Sequence, residues 1–207
     1  SVVCMGAGFS AGMGIAKSFE KEGVTGKVVF GVVGDSTFFH SGMTGAAEIV
    51  YNKGRMIPCV LDNRITGMTG HQDNPGTGYT LQGDPTALLS VEKILTALGF
   101  APVLTVDPQD LKAMKAAVDQ AVAALDAGQQ PAIVTRRPCL LIKRDKFRKG
   151  MCRVNADKCR SCCSCLKVGC PAISLENGKA VIDRTQCVGC TVCAQVCPFD
   201  AIEKEEK

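Results

Sequence analysis

The sequence predicts an α/β domain over residues 1–137, built on a mostly parallel sheet, then a small α+β cysteine-rich domain over residues 152–207. Three observations carry this. Short apolar runs alternate with helix-length segments through the first two thirds of the chain, the signature of strands buried on both faces and covered by helices. Of the 13 cysteines, only Cys4 and Cys59 precede residue 100. Between the two regions lies a densely basic stretch, read as a linker over residues 138–151.

The elements follow in order. Lys27–Val33 (KVVFGVV) and Met56–Leu61 (MIPCVL) are nearly continuous apolar runs and read as central strands. Val103–Val106 and Ala132–Thr135 are weaker versions of the same pattern. Thr44–Asn52 is a helix-length segment after the first strand. Thr86–Leu98 follows Asp84-Pro85, an N-cap with proline at the first helical position. Leu111–Leu125 is Ala-rich, starts after the acidic Asp107 and Asp110, and stops before Gly128.

Composition excludes several classes. The chain is 46% hydrophobic and 21% charged, an ordinary globular balance. Its net charge of +4 is too mild to argue for nucleic acid without a supporting motif, and there is none. Apolar runs such as Val28–Val33 are too short to span a bilayer, so no membrane contact is expected. An odd number of cysteines in tight repeats, with no signal-peptide pattern, favours metal ligation in a reducing, cytoplasmic compartment over disulfides. That the sequence opens at Ser1, without Met and directly before a Gly-rich segment, predicts a piece of a longer polypeptide. Within the basic stretch, Arg136, Arg137, Lys143, Arg144, Lys146, Arg148, Lys149 and Arg153 face one acid, Asp145. It reads either as a solvated linker or as a docking strip for an acidic electron-transfer partner.

The cysteines form an internal repeat. Cys187-Val-Gly-Cys190-Thr-Val-Cys193-Ala-Gln-Val-Cys197-Pro198 has three cysteines two residues apart, then a gap of three, then Cys-Pro. Three thiolates on one tight turn reach three irons of a cubane, and the fourth points to the neighbouring cluster. Cys159-Arg-Ser-Cys162-Cys163-Ser-Cys165-Leu-Lys-Val-Gly-Cys170-Pro171 repeats the plan with one extra residue before Cys-Pro. Under this exchange Cys159, Cys162, Cys165 and Cys197 hold one [4Fe–4S] cluster, and Cys187, Cys190, Cys193 and Cys170 the other. Zinc modules pair Cys-x-x-Cys with a distant second pair and do not need such a double repeat. The spacing matches the bacterial ferredoxins. Cys163 is out of register and reads as a free thiol beside a cluster; Cys152 and Cys139 carry no assignment.

In the first domain, the strand Lys27–Val33 runs into Gly34-Asp35-Ser36-Thr37, and the strand Met56–Leu61 ends in Asp62-Asn63-Arg64. Carboxyl ends of adjacent strands are where open α/β sheets bind ligands. A carboxylate and an amide oxygen there suit a hard cation such as Mg²⁺, which also takes phosphate oxygens; a plain structural turn is the competing reading. The polar, glycine-rich stretch from Gly67 to Gly78 follows, able to close over a ligand.

Gly34-Asp35 followed by Asn63 resembles the thiamine diphosphate fingerprint, which begins Gly-Asp-Gly and ends Asn-Asn. The resemblance implies Mg²⁺ held by Asp35, Asn63 and the carbonyl of Ile65; Ser36 and Arg64 depart from the pattern but leave the oxygen donors in place. The stretches Cys4-Met5-Gly6-Ala7-Gly8, Gly34 to Gly42 and Leu61 to Gln72, with the ferredoxin-type repeat, resemble the C-terminal part of the indolepyruvate:ferredoxin oxidoreductase alpha subunits. The likeness covers essentially the whole chain. It implies a thiamine-diphosphate-binding parallel-sheet domain followed by a 2[4Fe–4S] ferredoxin domain. The loop of Cys4, Met5 and Gly6 would lie near the thiamine, with Gly6 near its diphosphate, and Gly34 and Ser36 would be among the cofactor-binding residues.

The same resemblance implies oxidative decarboxylation of an aryl 2-oxo acid with coenzyme A. Electrons would pass through two [4Fe–4S] clusters to an external ferredoxin. It further implies an upstream pyrimidine domain carrying the activating glutamate and a second, beta subunit, so that these 207 residues alone would not turn over. His40 and His71, the only histidines, read either as proton relays or as plain loop hydrogen bonds. Pyruvate or a branched-chain 2-oxo acid as substrate, and a non-catalytic electron carrier, are the alternatives.

Overall fold

The computed structural model describes residues 4–142 and 150–205. They divide into two compact units, residues 4–108 with 112–142, and residues 150–205 with 109–111. Among the described residues no helix is long and apolar enough to cross a membrane.

The first unit is a four-stranded, all-parallel sheet in the order β1-β2-β4-β3. Its strands are β1 (Val29–Gly34), β2 (Met56–Asp62), β3 (Val103–Val106) and β4 (Ala132–Arg136). The period of two assigns their side chains. Met56 and Val60 face one core, with Phe9, Phe38, Ile49, Leu95 and Phe100. Ile57 and Cys59 face the other, against Ala121 and Leu125. Burial pushes the Cys59 thiol up to about 12, so it behaves as a small apolar side chain.

Helix α1 (Ala7–Lys21) precedes the sheet. Gly8, Gly12 and Gly14 lower its helix propensity by about 1 kcal/mol each, yet Phe9, Gly12, Met13 and Ala16 form a buried face along it. Packing overrides that cost. A β-carbon at Gly8 would strike the carbonyl of Val32, so only glycine lets this helix lie so close to β1.

After β1 the chain turns helical at once, through α2 (Asp35–Thr37), a π-helical turn (Phe38–Gly42) and α3 (Met43–Tyr51). Such π turns recur at functional sites. The helix expected over Thr86–Leu98 begins later: α4 is Val91–Leu98, capped by Ser90, whose Oγ accepts the Lys93 N–H at 3.2 Å. Upstream, Thr86 N–H donates to Gly78 and Leu89 N–H to Pro75, both at 2.9 Å. Those amides are committed to the neighbouring loop, and the Asp84-Pro85 signal loses. Helix α5 (Leu111–Asp126) falls where its alanine-rich pattern put it.

The second unit consists of two antiparallel strand pairs, β5 (Met151–Val154) with β8 (Ile202–Glu205) and β6 (Ile173–Glu176) with β7 (Lys179–Ile182). A 3₁₀ turn (Ser164–Val168) and a short helix, α6 (Val192–Gln195), carry cysteines between them. The internal repeat is thus structural. Its core is built from Cys152, Cys159, Cys165, Cys193, Ile173 and Ile202.

Much of the basic stretch, residues 143–149, lies outside the described residues. Its flanks are engaged: Arg136 pairs with Asp62 at 2.7 Å and with Glu92, Arg137 with Asp107, and Arg153 with Glu203 at 3.2 Å. Arg136 and Arg137 are each 27% exposed in these pairs, whereas the Arg153 side chain is 61% exposed.

Candidate functional site

Because β1 and β2 are parallel neighbours with Gly34 opposite Leu61, Asp35 and Asn63 emerge at the same edge of the sheet. The Asp35 carboxylate is 3% exposed. It accepts one side-chain hydrogen bond, from Asn74 Nδ2 at 3.1 Å, and Asn74 Oδ1 in turn accepts the Gly76 N–H at 2.9 Å. Burial raises the Asp35 pKa above the ordinary carboxylate value, opposed in part by the Asn74 bond. Among the described residues no cationic side chain pairs with it. Asp62, equally buried, is neutralised by Arg136 and by Arg64, whose Nε lies 3.3 Å from it. Two buried acids thus stand side by side, and only one has its countercharge. An unpaired buried carboxylate is costly, and either protonation or a bound cation relieves that cost.

The turn after β2 supplies further oxygens. Asn63 Oδ1 accepts the Ile65 N–H at 3.1 Å, which leaves its second lone pair free. The Asn63 carbonyl is taken by Cys139 N–H. Arg64, in left-handed conformation at φ 61°, donates Nη1 to the Gly76 carbonyl at 2.7 Å. It ties the strand end to the loop that carries Asn74. Ser36 Oγ accepts from Thr66 Oγ1 at 2.9 Å.

Two open clefts flank this point. The first, about 470 Å³, is lined by Cys4, Met5, Gly6, Gly8, Val32, Val33, Gly34 and Thr37. Gly6 sits at φ 90°, where a β-carbon would strike the Ser41 hydroxyl; that hydroxyl donates to the Met5 carbonyl at 3.1 Å and fixes the loop. Gly34 is different. Its φ of −75° suits any residue, and a β-carbon there would meet no atom within 4 Å. Packing does not require this glycine, but a side chain would project into open cleft. The second cleft, about 480 Å³, is lined by Ser36, Phe39, His40, Thr66, Asp73, Asn74, Pro75, Tyr79, Thr80 and Leu81.

The structure therefore gathers Cys4, Met5, Gly6 and Gly34 on one side of Asp35, and Ser36 with His40 on the other. His71 is exposed and lines neither cleft. Asn74 and Arg64 are the residues whose contribution the sequence pattern did not reveal. The signal was faint: an asparagine in a glycine-rich loop, 39 positions from the carboxylate it touches.

In the second unit, Cys159, Cys162, Cys165 and Cys197 line one small cavity, together with Cys163, Val154 and Ile202. Backbone N–H groups of Ala180 and Ser161 hold the Cys159 thiol below its ordinary value, and the Ser164 hydroxyl does the same for Cys162. Cys163 takes the left-handed conformation, at φ 59°, and lines the same cavity. Cys187, Cys190 and Cys193 group on the other side of the repeat, with Cys152 among them. Cys170 is half-buried and packs on the same core. Burial pushes the Cys193 thiol up to about 12. Among the described residues no three His, Cys, Asp or Glu side chains are close enough to hold a single metal ion.

Comparison with known proteins agrees. Residues 1–135 match the family described as thiamine pyrophosphate enzyme, C-terminal TPP binding domain, and residues 180–203 match the 4Fe-4S binding domain. The chain is 40% identical over 198 residues to "Indolepyruvate oxidoreductase subunit IorA" of Pyrococcus abyssi, covering 92% of this chain and 30% of that protein. It is 39% identical to the protein of the same name in Thermococcus kodakarensis, over 98% of this chain and 33% of that one. The Methanothermobacter marburgensis counterpart is 35% identical over 96% of this chain and 32% of its own length. The chain thus spans about a third of the length of these curated relatives. With its parallel sheet, its glycine-walled cleft beside a buried aspartate and its paired cysteine turns, the chain belongs to the thiamine pyrophosphate enzymes and joins their C-terminal TPP-binding domain to a 4Fe-4S binding domain.

Proposed function

We propose that this chain is the diphosphate-binding and electron-exit part of a thiamine-dependent 2-oxo acid:ferredoxin oxidoreductase acting on aryl 2-oxo acids with coenzyme A. The observation that carries the reading is Asp35: a buried carboxylate at the carboxyl end of β1, without a cationic partner among the described residues, beside a cleft walled by Gly6, Gly8 and Gly34. Asp35, Asn63 and the Ile65 carbonyl would hold Mg²⁺ against the diphosphate, as three hard oxygen donors. Thiamine diphosphate, when bound, supplies the electron sink that decarboxylation of a 2-oxo acid requires. Asn74 keeps the Asp35 carboxylate oriented, and Arg64 holds the Asn74 loop to the end of β2. The glycines let backbone approach the cofactor closely.

Cys159, Cys162, Cys165 and Cys197 would hold one [4Fe–4S] cluster and Cys170, Cys187, Cys190 and Cys193 the second, giving a one-electron path to an external ferredoxin. His40, at the second cleft, is placed to meet substrate or solvent; His71 has no such role in this reading. The activating glutamate, the pyrimidine domain and a beta subunit belong to partners of these residues in a cytoplasmic enzyme, and these 207 residues alone do not turn over. The names of the relatives support the indolepyruvate type.

Calorimetry with thiamine diphosphate, with and without Mg²⁺, on the assembled enzyme tests the cofactor site. Binding that requires Mg²⁺ and is lost in Asp35→Ala supports it; no binding leaves only an electron carrier. A panel of aryl, branched-chain and short 2-oxo acids, scored by ferredoxin reduction, tests the substrate class.

A further inference from the structure

Lys179 stands at the start of β7, and its Nζ donates to the Cys159 carbonyl at 2.6 Å, across 20 residues of sequence. The contact is part-buried. Elsewhere in the second unit, Arg153 and Lys158 share Glu203, and Arg184 pairs with Glu205. Those cations are offset by acids. Glu176 stands opposite Lys179 in the register of β6 and β7, yet among the described residues no carboxylate forms an ion pair with Lys179. Its ammonium ends on a neutral carbonyl and keeps its charge.

The internal repeat shows what is particular about this position. Strand β5 starts at Met151, eight positions before Cys159, and β7 at Lys179, eight positions before Cys187. Each strand serves the other repeat's first cysteine. From β5 the Cys152 N–H donates to Cys187 Sγ at 3.3 Å, and from β7 Lys179 reaches the Cys159 carbonyl. The equivalent of Lys179 is therefore Met151, a neutral side chain. Two cysteine sets built on one plan differ here by a full charge.

We propose that Lys179 is a positioning residue for the first cluster, anchoring the turn that carries Cys159 and raising that cluster's reduction potential with its charge. This rests on the reading that Cys159, Cys162, Cys165 and Cys197, which line one cavity, hold a [4Fe–4S] cluster. Reduction adds one negative charge, and a fixed cation nearby stabilises the reduced state more than the oxidised one. The potential therefore moves up. A part-buried charge is also screened by salt less than an exposed one. With methionine at the equivalent position the second cluster has no such support, so the lysine biases one-electron transfer from the second cluster toward the first.

The test uses the complete polypeptide, assembled anaerobically, with iron content and EPR-monitored redox titration as readouts. The unmodified protein is expected to hold eight irons per chain and to show two reduction steps. In Lys179→Met the iron content stays the same and one step moves to more negative potential, while the other stays in place. In Lys179→Arg, which restores the charge, that step returns toward its original position. Should the methionine variant lose iron, Lys179→Gln, neutral but still a donor, carries the same comparison. Unchanged potentials in the neutral variants overturn the proposal, as does a fall of both steps alike or an arginine variant that falls as far as the neutral ones. Four irons or fewer in the unmodified protein would instead remove the two-cluster reading itself, a failure visible before any substitution is made.

Discussion

Replacing Asn74 by alanine removes two buried hydrogen bonds at once. One runs from Nδ2 to the Asp35 carboxylate at 3.1 Å, the other from the Gly76 N–H to Oδ1 at 2.9 Å. A bond to a charged acceptor contributes about 1.5–3 kcal/mol and a neutral one about 0.5–1.5 kcal/mol, so Asn74→Ala should cost about 2–4 kcal/mol. With an m-value of about 2 kcal/mol/M in urea, the midpoint falls by about 1–2 M. The assay is selective by composition. The chain has no tryptophan, and its only tyrosines, Tyr51 and Tyr79, both lie in the α/β unit, so tyrosine fluorescence follows that unit alone. A double-mutant cycle isolates the charged bond. In an Asp35→Asn background the contact becomes neutral, and Asn74→Ala should cost about 1–2 kcal/mol less. Equal cost in both backgrounds would refute the claim that Asn74 acts on an ionised Asp35.

Two further substitutions separate stability from binding. Burial raises the Asp35 pKa, so the native state binds a proton more tightly than the unfolded chain. Stability from this group is full below the unfolded carboxylate pKa and is lost as pH rises through the raised native one. Asp35→Asn should therefore stabilise the metal-free protein at neutral pH, with the gain vanishing in acid, while abolishing Mg²⁺-dependent thiamine diphosphate binding; thermal melts across pH together with calorimetry read both. Gly8→Ala forces a β-carbon against the Val32 carbonyl, and by analogy with overpacked cores it should cost about 1–3 kcal/mol in urea unfolding. A neutral or stabilising effect there would mean that α1 does not lie against β1 as closely as described.

The sequence by itself determined the features whose signal is local. Continuous apolar runs marked the four strands, since a strand covered on both faces has no polar alternation to hide it. Cysteine spacing marked the two cysteine-bearing turns of the second unit, because the reach of a thiolate limits how many residues separate cysteines that share a site. The Gly-Asp and Asp-Asn junctions pointed to the cofactor edge, because residues just beyond strand ends gather at one edge of a parallel sheet. Tertiary structure decided the rest. Helix α1 exists because Gly8 admits Val32, a contact invisible to helix propensity. Helix α4 starts at Val91, not Thr86, because amides upstream are claimed by Gly78 and Pro75. Asp35 and Asp62 look alike in sequence, yet Arg64 and Arg136 neutralise Asp62, while Asp35 has no cationic side chain beside it among the described residues. Asn74 and Cys152 belong to their sites only because folding brings chain segments 39 and 35 positions apart, respectively, into hydrogen-bonding distance. Spacing along a chain encodes what neighbours can share; which distant charge or sulfur lies against a group is fixed only when the core closes around it.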